Sequence, residues 1–192
     1  VVPHHKHHMV KNKMRNHTIK GTVEKQILEY LALNPNQLIK PISGTLKVDY
    51  KSVNQAIHNL ERKGYVEKGK LVETKKHGKY KAYKLSEQGI AIIFKISNNL
   101  DFQKFLENYE DELHLSERWK IWRRNFGESF IKKVFRLAGA SYLETKDKKT
   151  EDWPTFIASA SLLAINLMPN HERETLVKAI NRDRRLSKDI YK

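Results

Sequence analysis

The sequence contains no cysteine, which excludes disulfide bonds, thiolate metal ligands and a catalytic thiol. Long apolar runs are also missing. The longest mostly apolar stretch, residues 156–168, is interrupted by polar side chains and is too short to cross a bilayer. The N-terminus shows no secretory signal pattern. We therefore expect a cytoplasmic protein that has no membrane partner.

The sequence also lacks the motifs of common enzyme sites. It has no glycine-rich phosphate loop, no nucleophile elbow and no paired metal-ligand spacing. Asp111 and Glu112 are neighbours on a polar face, a pattern typical of solvation, and His114 and His171 are isolated. The four histidines in residues 4–8 could chelate a transition metal, but a tag-like remnant or a natural His-rich tail is the simpler interpretation. We predict that the chain is not an enzyme and uses no cofactor.

Acidic residues are few relative to basic ones, with 22 Asp and Glu against 37 Lys and Arg and a formal net charge of +15. Residues 1–96 hold 19 basic against 7 acidic side chains, a net charge of +12, whereas residues 97–192 hold 18 against 15, a net charge of +3. A uniformly lysine-rich composition would raise both halves alike. This asymmetry is typical of a polyanion-binding domain joined to a body with another task.

Residues 49–63 predict an amphipathic helix, with Asp49 as its N-cap and Gly64 as the residue that ends it. One face is apolar and the opposite face is polar. The apolar stripe consists of Val53, Ala56, Ile57 and Leu60, and the polar face carries Lys51, Gln55, His58 and Arg62, flanked by Asn54 and Asn59. Such amide, imidazole and cationic groups can hydrogen-bond base edges and phosphates in a major groove. Taken alone, the pattern is equally typical of a solvated surface helix.

Two strands, residues 65–74 and 79–85, are predicted to follow around a His77–Gly78 turn. Lys75, Lys76 and Lys79 lie at the tip of this hairpin and at the start of its return strand. Lysines on an edge hairpin are also a common protection against aggregation. A helix, a glycine, a strand, a basic turn and a strand in immediate succession favour a nucleic-acid interface over that alternative.

Four segments carry a resemblance to a known family: Leu46–Asp49, Ser52–Val53, Leu60–Glu67 and Tyr83–Gly89. Together they resemble the winged helix-turn-helix regulators, in particular the MarR-like and PadR-like groups, over residues 20–96. The resemblance implies a recognition helix at residues 49–63 in the major groove and a wing at residues 74–80 on the backbone or minor groove.

The resemblance also implies roles for particular side chains. Bases or nearby phosphates would be contacted by Lys51, Asn54, Gln55 and His58, and the backbone by Arg62, Lys75, Lys76 and Lys79. Pro41 departs from the family pattern because it falls inside the predicted second helix, residues 36–46. That helix is then short or kinked, or it starts near Pro41.

The other periodic segments predict helices. Helices are expected at residues 22–33, after a cap at Ser86, at the apolar stripe from Phe102 to Leu113, from Ser116 to Leu137 with a bend at Gly127, after Pro154, and around Leu176 up to a polar tail at residues 182–192. The predicted fold is mainly α with a small β-hairpin. We divide it into a basic His-rich arm (1–20), a winged helix-turn-helix domain (21–97) and an all-α domain (98–192).

The second half is expected to join two copies of the chain. Its apolar helices suit a closed bundle, or half of a bundle that a second subunit completes. Small residues between positions 158 and 164 permit close helix approach within one chain or between chains. Trp119, Trp122 and Phe126 would alternatively line a ligand pocket, although aromatic residues at helical spacing more often form a core.

The predicted function is that of a sequence-specific transcription regulator, which binds double-stranded DNA as a homodimer through residues 98–192. The alternatives are a nucleoid- or replication-associated protein with little sequence preference, a winged-helix module that binds proteins, and an RNA-binding winged helix. We also expect residues 1–97 to fold without the second half.

Overall fold

The computed structural model describes residues 22–74, 78–115, 127–145 and 153–190. Within these ranges the chain is mainly helical, with one two-stranded antiparallel hairpin, as predicted. None of the described helices is long and apolar enough to span a membrane. The elements in order are α1 (Thr22–Leu33), α2 (Ile39–Leu46), α3 (Tyr50–Lys63), β1 (Val66–Thr74), β2 (Gly78–Leu85), α4 (Glu87–Ile96), α5 (Phe102–Tyr109), α6 (Glu128–Thr145), α7 (Trp153–Asn166) and α8 (Asn170–Ile190).

Helix α2 begins at Ile39, three residues later than predicted. Asn36 has a left-handed backbone with φ of 59°, and Gln37 forms a β-bridge with Tyr83 of β2, so neither residue is available to a helix. Pro41 is the third residue of α2. The N–H groups of a first turn have no partner within the helix, so proline costs no hydrogen bond there and the helix is short rather than kinked.

Helix α3 has the two caps that the sequence predicts. The carboxylate of Asp49 accepts a hydrogen bond from the backbone N–H of Ser52 at 2.9 Å, and Gly64 ends the helix with φ of 77°. Ser86 caps α4 in the same way, accepting from the N–H of Gly89 at 3.1 Å. Both helices therefore begin where short polar side chains can satisfy free backbone donors.

The hairpin is antiparallel, with Val66 opposite Leu85 and Thr74 opposite Gly78. Its register shifts between Lys68 and Leu71. There the side chain of Asn36 accepts a hydrogen bond from the N–H of Lys70 at 3.0 Å. The link between α1 and α2 is thus bound to β1 by this contact and to β2 by the Gln37–Tyr83 bridge.

Helix α4 is the centre of the core, because all five residues from Ile90 to Phe94 are buried. A helix that is apolar all round is typically enclosed on every side. The ring of Phe94 lies 5.5 Å from that of Phe102, 5.2 Å from Phe105, 5.0 Å from Phe135 and 6.1 Å from Trp153, measured between centroids. The core therefore continues across residue 97, and the independent folding of residues 1–97 stays a prediction.

Helix α6 packs between α4 and α7. Gly139 allows the close approach to α4: a Cβ at this position would lie 3.0 Å from the carbonyl oxygen of Ala91 and 3.2 Å from the ring of Phe94. On the other side, the rings of Tyr142 and Trp153 stack with centroids 4.7 Å apart and an interplanar angle of 2°. Trp153 is buried, a core role that the sequence analysis did not assign.

The end of the chain corrects one prediction. Helix α8 continues to Ile190, whereas we predicted that the last helix ends at the polar tail, residues 182–192. Polarity does not end a helix. Arg, Lys and Leu are good helix formers, and no glycine or proline interrupts residues 182–190. The predicted cap at Ser116 and the aromatic residues Trp119, Trp122 and Phe126 lie outside the described residues.

Candidate nucleic-acid interface

Helix α3 is held by its apolar stripe and by one ion pair at its end. Val53, Ala56, Ile57 and Leu60 are all buried, as predicted. Lys63 Nζ lies 2.6 Å from Oε2 of Glu24 on α1, and Glu24 is only 6% exposed. A buried carboxylate must be paired to be tolerated, so this contact fixes the C-terminal end of α3 against α1.

The opposite face of α3 is open. Lys51, Gln55, His58 and Arg62 are exposed and Asn54 is half-buried. On a helix these positions lie within one stripe, and the burial of the other face confirms that orientation. Their contact with nucleic acid stays a prediction.

The side chains of this face contact one another. Asn59 Oδ1 accepts hydrogen bonds from Arg62 Nη2 at 2.7 Å and from Gln55 Nε2 at 3.4 Å. His58 Nδ1 lies 3.5 Å from Oε2 of Glu61. These groups are at the surface, so they can exchange such contacts for contacts with a ligand at little cost. Asn59, which orients two of the predicted contact residues, was treated in the sequence only as a flanking residue.

Exposed lysines on the hairpin add positive charge, although Lys79 lies opposite Glu73 in the strand register. Lys70, Lys79 and Lys81 are exposed. Within the described residues, none of these three, nor Lys51, forms an ion pair. Lys75 and Lys76 lie outside the described residues. The described lysines thus leave the hairpin with positive charge available to an anionic ligand.

Several acidic side chains of the first half are already engaged. Besides Glu24 with Lys63, Glu61 pairs with Lys68 at 3.4 Å and Glu67 pairs with Lys84 at 3.4 Å. Burial opposes the charge of Lys84, but its hydrogen bond with Glu112 at 3.0 Å and the nearby carboxylates outweigh burial and raise its pKa. These carboxylates are neutralised within the protein and repel a polyanion less than free ones would.

Three further exposed residues adjoin the predicted contacts. Tyr50 begins α3 beside Lys51, and Leu71 and Tyr80 lie on the hairpin beside exposed lysines. The sequence analysis did not assign them to the site. Their adjacency in sequence to predicted contact residues could have identified them. Hydrophobic periodicity alone does not include this information.

No protein-family model matches the sequence, and a search of curated proteins found no significant match. The function must therefore be inferred from the chemistry of this surface.

Proposed function

We propose that the chain binds double-stranded DNA, with residues 21–97 arranged as a winged helix-turn-helix domain, and that it acts as a sequence-specific transcription regulator. The observation that carries the proposal is the exposed face of α3. It presents amide, imidazole and cationic side chains on a helix whose other face is fully packed.

The groups on that face suit base recognition. The major groove of B-DNA admits an α-helix, glutamine and asparagine pair with adenine through two hydrogen bonds, and lysine and arginine pair with guanine. Gln55 and Asn54 supply the amides, while Lys51 and Arg62 supply the cations.

The hairpin suits the phosphate backbone. Its exposed lysines, Lys70, Lys79 and Lys81, have no ion-pair partner in the described part of the chain, and the first half of the sequence carries a net charge of +12. Contacts between Asn36, Gln37 and the two strands hold the hairpin to the helices. Wing and recognition helix would then act as one body.

We further propose that the protein acts as a homodimer through residues 98–192. A single helix reads few base pairs, and two-fold symmetric proteins read two half-sites about 34 Å apart. Two copies of α3 would double the contacts and make the preferred site a palindrome.

Selection of bound sequences from random duplex DNA tests this proposal, together with titrations over a range of salt concentrations. We expect an enriched motif with two-fold symmetry, and an affinity that falls with salt at a log–log slope near −0.9 for each of about 6–8 phosphate contacts. Binding without enrichment would favour a nucleoid-associated role. A slope near zero would contradict nucleic-acid binding and favour a protein-binding module. Stronger binding to an RNA competitor would redirect the proposal to RNA.

Alanine substitutions separate the two parts of the interface. Lys51→Ala or Gln55→Ala should weaken the preferred site more than random DNA, by about 1–3 kcal/mol for a good base contact. Lys79→Ala combined with Lys81→Ala should weaken both equally and flatten the salt slope. Lys104→Ala, an exposed lysine on α5, is the control and should change neither. Equal effects of the α3 and hairpin variants on both DNAs would contradict the assignment of α3.

A further inference from the structure

Helix α7 exposes a face that carries no charged side chain, although 31% of the chain's residues are charged. Its inner side is buried through Trp153, Phe156, Ile157, Ala160 and Ala164. On the outer side, Leu162 is 66% exposed, Leu163 47%, and Leu167, which follows the helix, 58%. Contiguous exposed apolar surface of this kind usually marks a contact with another molecule.

The exposed positions follow a symmetric pattern. They come in adjacent pairs that repeat every four residues: 154 and 155, 158 and 159, 162 and 163, 166 and 167. The pattern is symmetric about the midpoint between Ala160 and Ser161. Large side chains lie on the C-terminal side of that midpoint, and small ones lie near it on the N-terminal side. The face is therefore complementary in size to a reversed copy of itself.

We propose that a second copy of this chain covers this face, with the two α7 helices antiparallel and a two-fold axis at the midpoint between Ala160 and Ser161. Reversal about that axis places Ser159 level with Leu162 of the second copy, and Ala158 level with its Leu163. Leucines then pack beside small residues, so the helices can approach closely and interdigitate. Each contact between residue i of one copy and residue j of the other then occurs a second time with the copies exchanged, as a two-fold interface requires.

The chemistry of the face favours a copy over an unrelated partner. Homodimer interfaces are more apolar than other interfaces, and a face without charge offers nothing by which an oppositely charged partner would be selected. The face itself also contributes none of the charge excess of the chain, +15 in total, to the contact. The role of this pairing rests on the proposed function, because pairing would bring two DNA-binding α3 helices into one dimer.

The size of the face sets the expected strength. A helix of 14 residues is about 21 Å long and 10–12 Å wide, so the face offers roughly 250 Å² in projection. Standard interfaces bury about 800 Å² per partner. We therefore expect a reversible dimer that dissociates on dilution rather than an obligate one.

Cysteine cross-linking tests the register, and the absence of natural cysteine keeps the background clean. Thr155 and Asn166 each lie about 8 Å along the helix from the midpoint, on opposite sides. In the antiparallel pair, two copies of Thr155 are therefore about 16 Å apart, whereas Thr155 is level with Asn166 of the second copy. A disulfide needs Cα atoms within about 7 Å.

Full-length Thr155→Cys mixed with full-length Asn166→Cys should form a disulfide-linked dimer under mild oxidation, and neither variant alone should do so. Cross-linking of each variant to itself, with no disulfide between the two different variants in the mixture, would overturn the antiparallel register. Absence of any cross-link, together with sedimentation of the unmodified chain as a monomer at the highest soluble concentration, would overturn the pairing.

Sedimentation of a charged variant gives an independent readout. Leu162→Glu should shift the full-length protein to the monomer, because it places a carboxylate beside the two-fold axis. Leu71→Glu is the matched control, since Leu71 on the hairpin is 59% exposed, and it should leave sedimentation unchanged. Circular dichroism checks that both variants keep their helices. An unchanged dimer in Leu162→Glu would also overturn the pairing. All these measurements omit DNA, so a monomer that binds DNA refutes only the pairing, and a dimer that does not bind DNA refutes only the proposed function.

Discussion

Replacing Tyr109 by Phe removes one hydroxyl group that joins three elements of the core. The Tyr109 hydroxyl donates a hydrogen bond to the carbonyl oxygen of Leu31 on α1 at 2.9 Å and accepts one from the N–H of Leu85 on β2 at 3.2 Å. The carbonyl of Leu31 has no helical donor, because the residue four positions on is Pro35, which lacks an N–H. Tyr109 supplies the missing donor from the second half of the chain.

The expected loss follows from what stays behind. The aromatic ring remains, and its stack with Phe105 at 5.1 Å is kept, so apolar packing hardly changes. The N–H of Leu85 and the carbonyl of Leu31 lose a partner in a fully buried site. An unsatisfied buried group costs about 1–3 kcal/mol. The variant has no hydroxyl group to desolvate on folding, which offsets part of this cost. We therefore expect the free energy of unfolding to fall by about 2 kcal/mol, which corresponds to about 4–8 °C in Tm for a chain of this size.

Urea unfolding followed by circular dichroism measures this loss, with Tyr80→Phe as the control. Tyr80 is exposed on the hairpin, and its variant should stay within about 0.5 kcal/mol of the unmodified protein. The same small change in Tyr109→Phe would refute the reasoning, because it would mean that the hydroxyl bridges nothing of consequence.

The contribution of the same hydroxyl to stability should decrease at high pH. Burial raises the pKa of Tyr109 above its ordinary value of 10.0. A group whose pKa is raised on folding contributes stability that is complete below the unfolded pKa and is lost as the pH rises through the folded one. The stability difference between the unmodified protein and Tyr109→Phe should therefore be constant below about pH 9 and shrink above pH 10.

Three further predictions concern the core and the cap of α3. Phe94→Ala should lower the free energy of unfolding by about 3–5 kcal/mol in urea melts, because this first-half ring touches four aromatic rings of the second half. A loss below about 1 kcal/mol would contradict a shared core. Gly89→Ala should reduce thermal stability far more than Gly44→Ala, because a Cβ at Gly89 would overlap the carbonyl oxygen of Tyr65 whereas one at Gly44 meets nothing. Equal melting temperatures of the two variants would show that α4 can move away from the backbone of Tyr65 at no cost in stability. The hydrogen bonds from Ser52 lower the pKa of Asp49 below 3.8, so the contribution of this cap to stability is complete above about pH 5 and is lost as the pH falls below 3.8. Asp49→Asn keeps a capping side chain and should therefore lose less stability than the unmodified protein between pH 5 and pH 2.5. Parallel losses of stability in the two proteins would contradict the cap.

Local chemistry accounts for the features that the sequence could predict. The bounds of α1, the caps at Asp49, Gly64 and Ser86, and the buried stripe of α3 all depend on residues within a few positions of one another. Side-chain spacing and capping groups are visible in a sequence, and at these places tertiary contacts agree with them.

The features that were missed depend on residues that are distant in sequence. Asn36 binds the backbone of Lys70, Lys63 pairs with Glu24 39 positions away, and Tyr109 reaches Leu31 across 78 positions. A periodic pattern indicates which face of a helix is buried, but not which partner buries it. For the same reason, the sequence alone did not show that the core continues past residue 97.

That continuity bears on how the two proposed interfaces would work together. Phe94 of α4 packs on rings of α5, α6 and α7, while Tyr109 of α5 is hydrogen-bonded to α1 and β2. The relation of α3 to α7 is therefore set by packed side chains and buried hydrogen bonds, not by a flexible linker. Packed cores resist continuous deformation. A dimer joined through α7 would accordingly hold its two α3 helices at one separation, so the spacing of the two half-sites would be a property of the fold itself.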